Sequence, residues 1–155
     1  MAAIVERWPD FICIGAPKAG TTALFRAIGR HPQVFSPPEK EPRYFAYKGS
    51  RPHFLCPGGE ESADAITFDR DEYLRLFGRC PSTQKTGDGS TGYLYHPEAP
   101  ANCRAEVPSA PLIAVLRHPV DRAFSQFLHL RQKGIEEIGD FEAALDAESR
   151  RIELG

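Results

Sequence analysis

The sequence predicts an α/β protein of the three-layer, P-loop-like kind, built on a central parallel sheet, and three observations carry that prediction. A short apolar run, Phe11 to Gly15, ends in the glycine-bounded turn Gly15-Ala16-Pro17-Lys18-Ala19-Gly20-Thr21-Thr22. An amphipathic segment, Thr21 to Arg30, follows at once. Further on, the continuously apolar Leu112-Ile113-Ala114-Val115-Leu116 runs into Arg117-His118-Pro119 and a second helical stretch. Strand, turn and helix, repeated, is the alternation that yields parallel sheets whose ligands bind at the carboxyl ends of the strands.

In chain order, Phe11 to Gly15 reads as a strand, and Thr21 to Arg30 as a helix with Leu24, Phe25 and Ile28 on its buried side, closed by His31-Pro32. From Ser36-Pro37-Pro38 to Gly58-Gly59 the chain is loop-rich, with a short ordered piece around Arg43 to Tyr47. Asp69 to Phe77 is expected to be helical, Lys85 to Asp88 to be a second strand, and Glu98 to Val107 to be a helix ended by Pro108. Leu112 to Leu116 has the composition of a central strand covered on both faces. Pro119 suits the first position of a helix that runs to Lys133 and stops at Gly134. A last helix spans Phe141 to Glu153, and the chain contains no internal repeat.

The 155 residues are expected to form one domain, with a formal net charge of -2, 41% hydrophobic and 26% charged residues. That balance excludes a polybasic nucleic-acid binder, so any anion site must be local. No span approaches membrane length and Met1 to Asp10 lacks the order of a signal peptide, so a cytoplasmic protein with no membrane partner is expected. Cys13, Cys56, Cys80 and Cys103 stand far apart, which argues against a zinc site and for reduced thiols. His31, His53, His96, His118 and His129 are scattered and read as surface or packing residues, and Trp8, Tyr44, Phe45 and Tyr47 as packing. Nothing in the pattern specifies an oligomeric state.

The first turn is a phosphate cradle with its lysine displaced. Its glycines have the spacing of the common nucleoside-triphosphate loop, but Thr21 stands where that loop has lysine, and Lys18 lies inside the turn. Backbone N–H groups, the dipole of the Thr21 helix and the Thr21 and Thr22 hydroxyls would hold a phosphate. The alternative is a structural βα turn with a helix-capping threonine. At the second turn, Arg117 and Ser125 are placed to meet one anion. Alternatively, Arg117 pairs with Asp121, and Arg122 is an equally good anion ligand.

Together, Pro17-Lys18-Ala19-Gly20-Thr21-Thr22 and Leu116-Arg117-His118-Pro119-Val120-Asp121-Arg122-Ala123-Phe124-Ser125 resemble the paired nucleotide motifs of sulfotransferases that use 3′-phosphoadenosine 5′-phosphosulfate (PAPS). The resemblance implies that Lys18, Ala19, Gly20, Thr21 and Thr22 hold the 5′-phosphosulfate end and that Arg117 and Ser125 hold the 3′-phosphate. Lys40-Glu41-Pro42-Arg43-Tyr44-Phe45 is similar to the Lys-Glu-Pro-x-Phe-Phe stretch of the heparan-sulfate branch and its bacterial relatives, which makes Glu41 the matching base. Gly87-Asp88-Gly89-Ser90-Thr91-Gly92-Tyr93-Leu94 resembles that branch's Gly-Glu-x-Ser-Pro-x-Tyr-Leu segment, with Thr91 replacing the proline and Gly89 standing where some members carry lysine.

What the resemblance implies is sulfuryl transfer from PAPS to a hydroxyl or amine of a small-molecule or glycan acceptor, with PAP as product and Lys18 and Glu41 as the catalytic pair. A sulfuryl group carries less charge than a terminal phosphoryl group, so a lysine is expected to suffice without a metal. Family members generally continue beyond the position of Gly155, so the chain is expected to be the N-terminal portion of the family domain. Two other readings stay open: a nucleoside-triphosphate kinase or hydrolase with an aberrant loop, for which Asp88 is the nominated metal-binding carboxylate, and a non-catalytic nucleotide-binding module.

Overall fold

A parallel sheet of four strands organises the chain: β1 (Phe11–Gly15), β2 (Val34–Phe35), β3 (Lys85–Asp88) and β4 (Leu112–Ala114), in the spatial order β2-β3-β1-β4. The computed structural model describes residues 6–54 and 59–154; Met1, Cys56 and Gly58 lie outside the described residues. This is the α/β class with a parallel sheet that the alternation predicts. β1 sits between two neighbours, so Ile12 and Cys13 are fully buried. Its register sets Phe11 opposite Gly87 and Ile12 opposite Asp88. A Cβ on Gly87 would lie 2.2 Å from the Phe11 ring, so that position accepts only glycine unless the ring moves.

The helices follow the punctuation of the sequence closely. α1 (Thr21–Ile28) turns Leu24, Phe25 and Ile28 inward, all half-buried. α2 (Tyr44–Tyr47) is a single turn, too short to hold itself, and tertiary contacts hold it instead. Tyr44 and Phe45 are fully buried, and Asn102 Nδ2 donates to the Phe45 carbonyl at 2.9 Å. α3 spans Gly59–Asp64 and α4 spans Arg70–Arg75, where Asp69 caps α4 by accepting from the Glu72 N–H at 2.9 Å. A 3-10 turn, Thr91–Leu94, separates β3 from α5 (Ala99–Glu106), and α6 (Pro119–Gln132) starts on its proline as expected and gives way at Gly134.

The core is aromatic. Tyr44 stacks on Tyr73 at 4.4 Å, Trp8 lies against Phe45, and Phe77 and Tyr93 close the cluster. Large rings bury much area per residue, which suits a core placed under short strands and one-turn helices. Trp8, Tyr44 and Phe45 are therefore packing residues, as read from the sequence.

Two expectations are corrected. The Leu112 to Leu116 run is not a central strand covered on both faces: β4 ends at Ala114, has β1 as its one strand partner among the described residues, and leaves Leu112 58% and Leu116 77% exposed. An apolar composition states what a strand can bury; position in the sheet decides what it does bury. Nor is Phe141 to Glu153 one helix. It divides into α7 (Phe141–Asp146), capped by Asp140, and α8 (Glu148–Leu154), and the step at Ala147 sets Arg151 against Glu136.

That ion pair ties α8 to the segment after α6. Arg151 donates two bonds, of 2.6 and 3.0 Å, to the buried carboxylate of Glu136, which also accepts from the Ile138 N–H. These donors lower the Glu136 carboxyl from its usual 4.5 to about 2. A depressed folded-state pKa contributes stability that is present above the unfolded value and is lost as pH falls toward the folded one. Urea denaturation from neutral pH down through about 4.5 to about 2 should therefore show stability falling across that interval. Arg151→Ala should lower stability at neutral pH and flatten that fall.

Candidate active site

The turn after β1 reaches the start of α1 through two left-handed residues, Lys18 (φ 63°) and Gly20 (φ 104°). Gly20 is the N-cap of α1 and no side chain caps the helix, so the first-turn N–H groups stay available, and the capping-threonine alternative does not hold. Thr21 is buried, whereas the exposed Thr22 accepts a 2.7 Å bond at Oγ1 from Lys40 Nζ. At the second turn, Arg117 Nη1 donates to the Lys18 carbonyl at 3.2 Å, joining the two turns that the sequence places 99 residues apart.

These turns line one cavity of about 960 Å³, whose wall includes Lys18, Gly20, Thr21, Thr22, Glu41 and Arg117. Two site candidates are not among its lining residues: Ala19, whose N–H turns back to the Ala16 carbonyl at 3.2 Å, and Ser125, half-buried on α6. The helix face that does line it carries Arg122, Gln126 and His129. Their spacing of four and three residues marks a single helical face, a signal legible in the sequence once the helix itself is placed. Burial, with the charges of Lys18 and Lys133, lowers the His129 pKa below its usual 6.5, which favours the neutral imidazole at neutral pH.

Glu41 also has a left-handed backbone (φ 63°), as does Arg43 (φ 57°). Among the described residues, Lys18, Glu41 and Arg43 are the non-glycine residues with positive φ. Such conformations cost about 1–3 kcal/mol each and persist only where surrounding structure imposes them. Thr91 Oγ1 donates to Glu41 Oε2 at 3.2 Å, Arg43 Nη2 approaches the same oxygen at 3.4 Å, and Lys40 Nζ lies 3.6 Å from Oε1. Thr91, the residue that departs from the family's proline, thus puts a hydroxyl on the carboxylate.

A second cavity, of about 520 Å³, is lined by Lys40, Ser62, Ala65 and Lys133 and shares Glu41, Arg43 and His129 with the first. The Glu41 carboxylate therefore stands where the two meet. The other departure, Gly89, has a packing explanation: a Cβ there would lie 2.7 Å from the Phe25 ring. Asp88, nominated as a metal ligand under the kinase reading, is fully buried and its oxygens are already engaged by the hydroxyls of Tyr73, Tyr93 and Ser90.

Comparison with known proteins finds matches in one family. A sequence profile described as the sulfotransferase family matches residues 9–154. The chain is 30% identical over 135 residues to the human bifunctional heparan sulfate N-deacetylase/N-sulfotransferase 3, covering 81% of this chain and 13% of that protein. It is 30% identical over 128 residues to the human heparan sulfate glucosamine 3-O-sulfotransferase 6, covering 83% and 32%. The crystal structure of a sulfotransferase from Alicyclobacillus acidocaldarius superposes with a TM-score of 0.85 at 33% identity, over 96% of this chain and 60% of that one. The chain thus spans less than two thirds of the length of each of these three.

The left-handed turn makes a prediction about stability. Lys18→Gly should raise the unfolding free energy by about 0–1.6 kcal/mol, because relief of left-handed strain, about 1–2 kcal/mol, offsets or exceeds the added freedom of glycine in the unfolded chain, about 0.4–1 kcal/mol. Lys18→Ala keeps the strain and should leave stability near that of the unsubstituted chain. Urea titrations of the three proteins compare them directly.

Proposed function

Because this chain belongs to the sulfotransferase family, we propose that its site moves a sulfuryl group from PAPS to a hydroxyl or amine of an acceptor. The observation that carries this reading is the position of Glu41, which lines both cavities and shares the larger one with the lysine-bearing turn. The larger cavity suits the nucleotide. Its wall carries the free first-turn N–H groups of α1 together with Lys18, Thr22, Arg117 and Arg122. Its volume lies within the range of about 300–1,000 Å³ usual for small-molecule sites. The smaller cavity, on the far side of Glu41, suits the acceptor.

When bound, the nucleotide would supply a sulfuryl group on an oxygen shared with its 5′-phosphate. In the reaction, a bond forms from the acceptor oxygen or nitrogen to sulfur, and the bond from sulfur to that shared oxygen breaks. Lys18 meets the negative charge that the departing phosphate takes up, and the turn N–H groups assist it as fixed donors. Glu41 takes the acceptor's proton. Thr91 and Arg43 both contact Oε2, which leaves Oε1, 3.6 Å from Lys40 Nζ, as the less engaged oxygen to accept that proton. The burial of Asp88 beneath three hydroxyls, away from the walls of both cavities, speaks against the kinase or hydrolase reading.

Because relatives are named for heparan sulfate, glycans are the first acceptors to screen, with small-molecule alcohols and amines second. Calorimetry should show PAP binding without added metal and more tightly than ATP, and a preference for ATP with Mg²⁺ would sink the reading. Glu41→Gln should lower kcat by about 10² to 10⁴ and leave PAP affinity within about twofold. A loss of only a few-fold would remove Glu41 from the role of base. Labelled-sulfate transfer by this chain separates an enzyme from a binding module.

A further inference from the structure

Asp88 is fully buried, and burial pushes its carboxyl pKa up while three hydroxyls pull it down. Tyr73 and Tyr93 donate to Oδ2 at 2.8 and 2.7 Å, and Ser90 donates to Oδ1 at 2.7 Å. A hydroxyl has one proton, and an ionised carboxylate only accepts. Each hydroxyl that gives its proton to Asp88 is therefore left facing elsewhere with lone pairs. Ser90 Oγ spends one on the Arg43 N–H at 2.9 Å, and Tyr93 Oη spends one on the Phe45 N–H at 3.2 Å. Both N–H groups belong to the segment that carries Glu41, whose backbone is left-handed at 41 and 43. The residue after Ser90 is Thr91, whose hydroxyl reaches Glu41 itself.

We propose that Asp88 is a positioning residue for the base: through the Ser90 and Tyr93 hydroxyls it fixes the backbone from Arg43 to Phe45, and so the direction of the Glu41 carboxylate. This role rests on the reading of Glu41 as base. Asp88 touches neither cavity, as it is absent from the lining of both. It acts by orienting donors. Asp88→Asn keeps the volume but sets an N–H₂ against hydroxyls that were donating, which reverses at least one of them. Ser90→Ala removes one link outright. Tyr73→Phe is the internal control, because it also deletes a bond to Asp88 while its hydroxyl makes no bond to the backbone of 41–45.

The test combines kinetics with amide exchange on the full chain. Asp88→Asn and Ser90→Ala should lower kcat by about tenfold to a hundredfold, as small misplacements of reacting groups do, with PAP affinity within about twofold of the starting protein. Tyr73→Phe should stay within about threefold in kcat. On a Glu41→Gln background, Asp88→Asn should change the rate by less than about twofold, because a residue that acts through the base has nothing left to position. Independently of turnover, exchange at the Arg43 and Phe45 amides should speed up in Asp88→Asn while Leu74 and Phe77 stay protected. Unchanged exchange, an equal loss on both backgrounds, or kcat and PAP affinity falling together would overturn the proposal. If Glu41→Gln itself turns over normally, the base reading fails and takes the catalytic role of Asp88 with it; a crippled Glu41→Gln beside unaltered exchange in Asp88→Asn rejects the brace alone.

Discussion

The site converges because β1 is hydrogen-bonded in parallel to β3 on one side and to β4 on the other. Parallel pairing puts all three carboxyl ends at the same edge of the sheet. The Gly15 turn leaves from the middle strand, Asp88 ends one neighbour and Arg117 follows the other. Beyond the last paired residues the ladder continues in the Ala16 N–H to Val115 carbonyl bond of 2.8 Å, which carries the alignment into the turns themselves. A one-residue slip of β3 would exchange the faces of its side chains and withdraw Asp88 from Tyr73 and Tyr93. The Phe11 ring over Gly87 blocks that slip, because any other residue brought opposite it would carry a Cβ.

On that frame, the protein sustains a strained backbone at two residues of the larger cavity's wall. Lys18 and Glu41 face the same cavity, and each adopts a conformation that its residue type disfavours. The opposing forces are of two kinds. Tyr44 and Phe45, buried directly after Arg43, anchor the Glu41 segment from the apolar side. The Asp88 hydroxyl network anchors it from the polar side, where a low local dielectric makes each bond stronger and each unmade bond more costly. Rigidity at Glu41 thus comes from the core beneath it, and the single-turn helix α2 is the part through which the two meet.

Much of this was legible in the chain because glycine and proline mark its boundaries. Gly15, Gly20, Pro119 and Gly134 bracket the turns and helices, and β3 falls where Lys85 to Asp88 was expected. The phosphate turn and the Glu41 motif were readable for the same reason: each is a local pattern. What stayed hidden depends on partners far away in sequence. Asp88 reads as a strand-end carboxylate until Tyr73, Ser90 and Tyr93 are seen around it. Lys40 shows no sign in the sequence of reaching Thr22. The exposure of Leu112 and Leu116 is invisible to composition, which reports affinity for a core but not the presence of one. Ser125 and Ala19 show the converse limit, since a motif can place a residue beside a cavity without turning it inward.

The contact between Gly89 and Phe25 has an evolutionary consequence. The 89 position lies two residues before Thr91, which contacts Glu41, and its side-chain space is filled by a ring from a different element. A lysine there requires the Phe25 ring to move, and a smaller residue at 25 opens a void against Phe11 unless 89 grows at the same time. The two positions form a lock in which either change alone is penalised, so a lineage that changes residue 89 is expected to change residue 25 with it. In an alignment of relatives that constraint would register as covariation between a helix residue and a loop residue 64 positions apart, a record of packing rather than of shared chemistry.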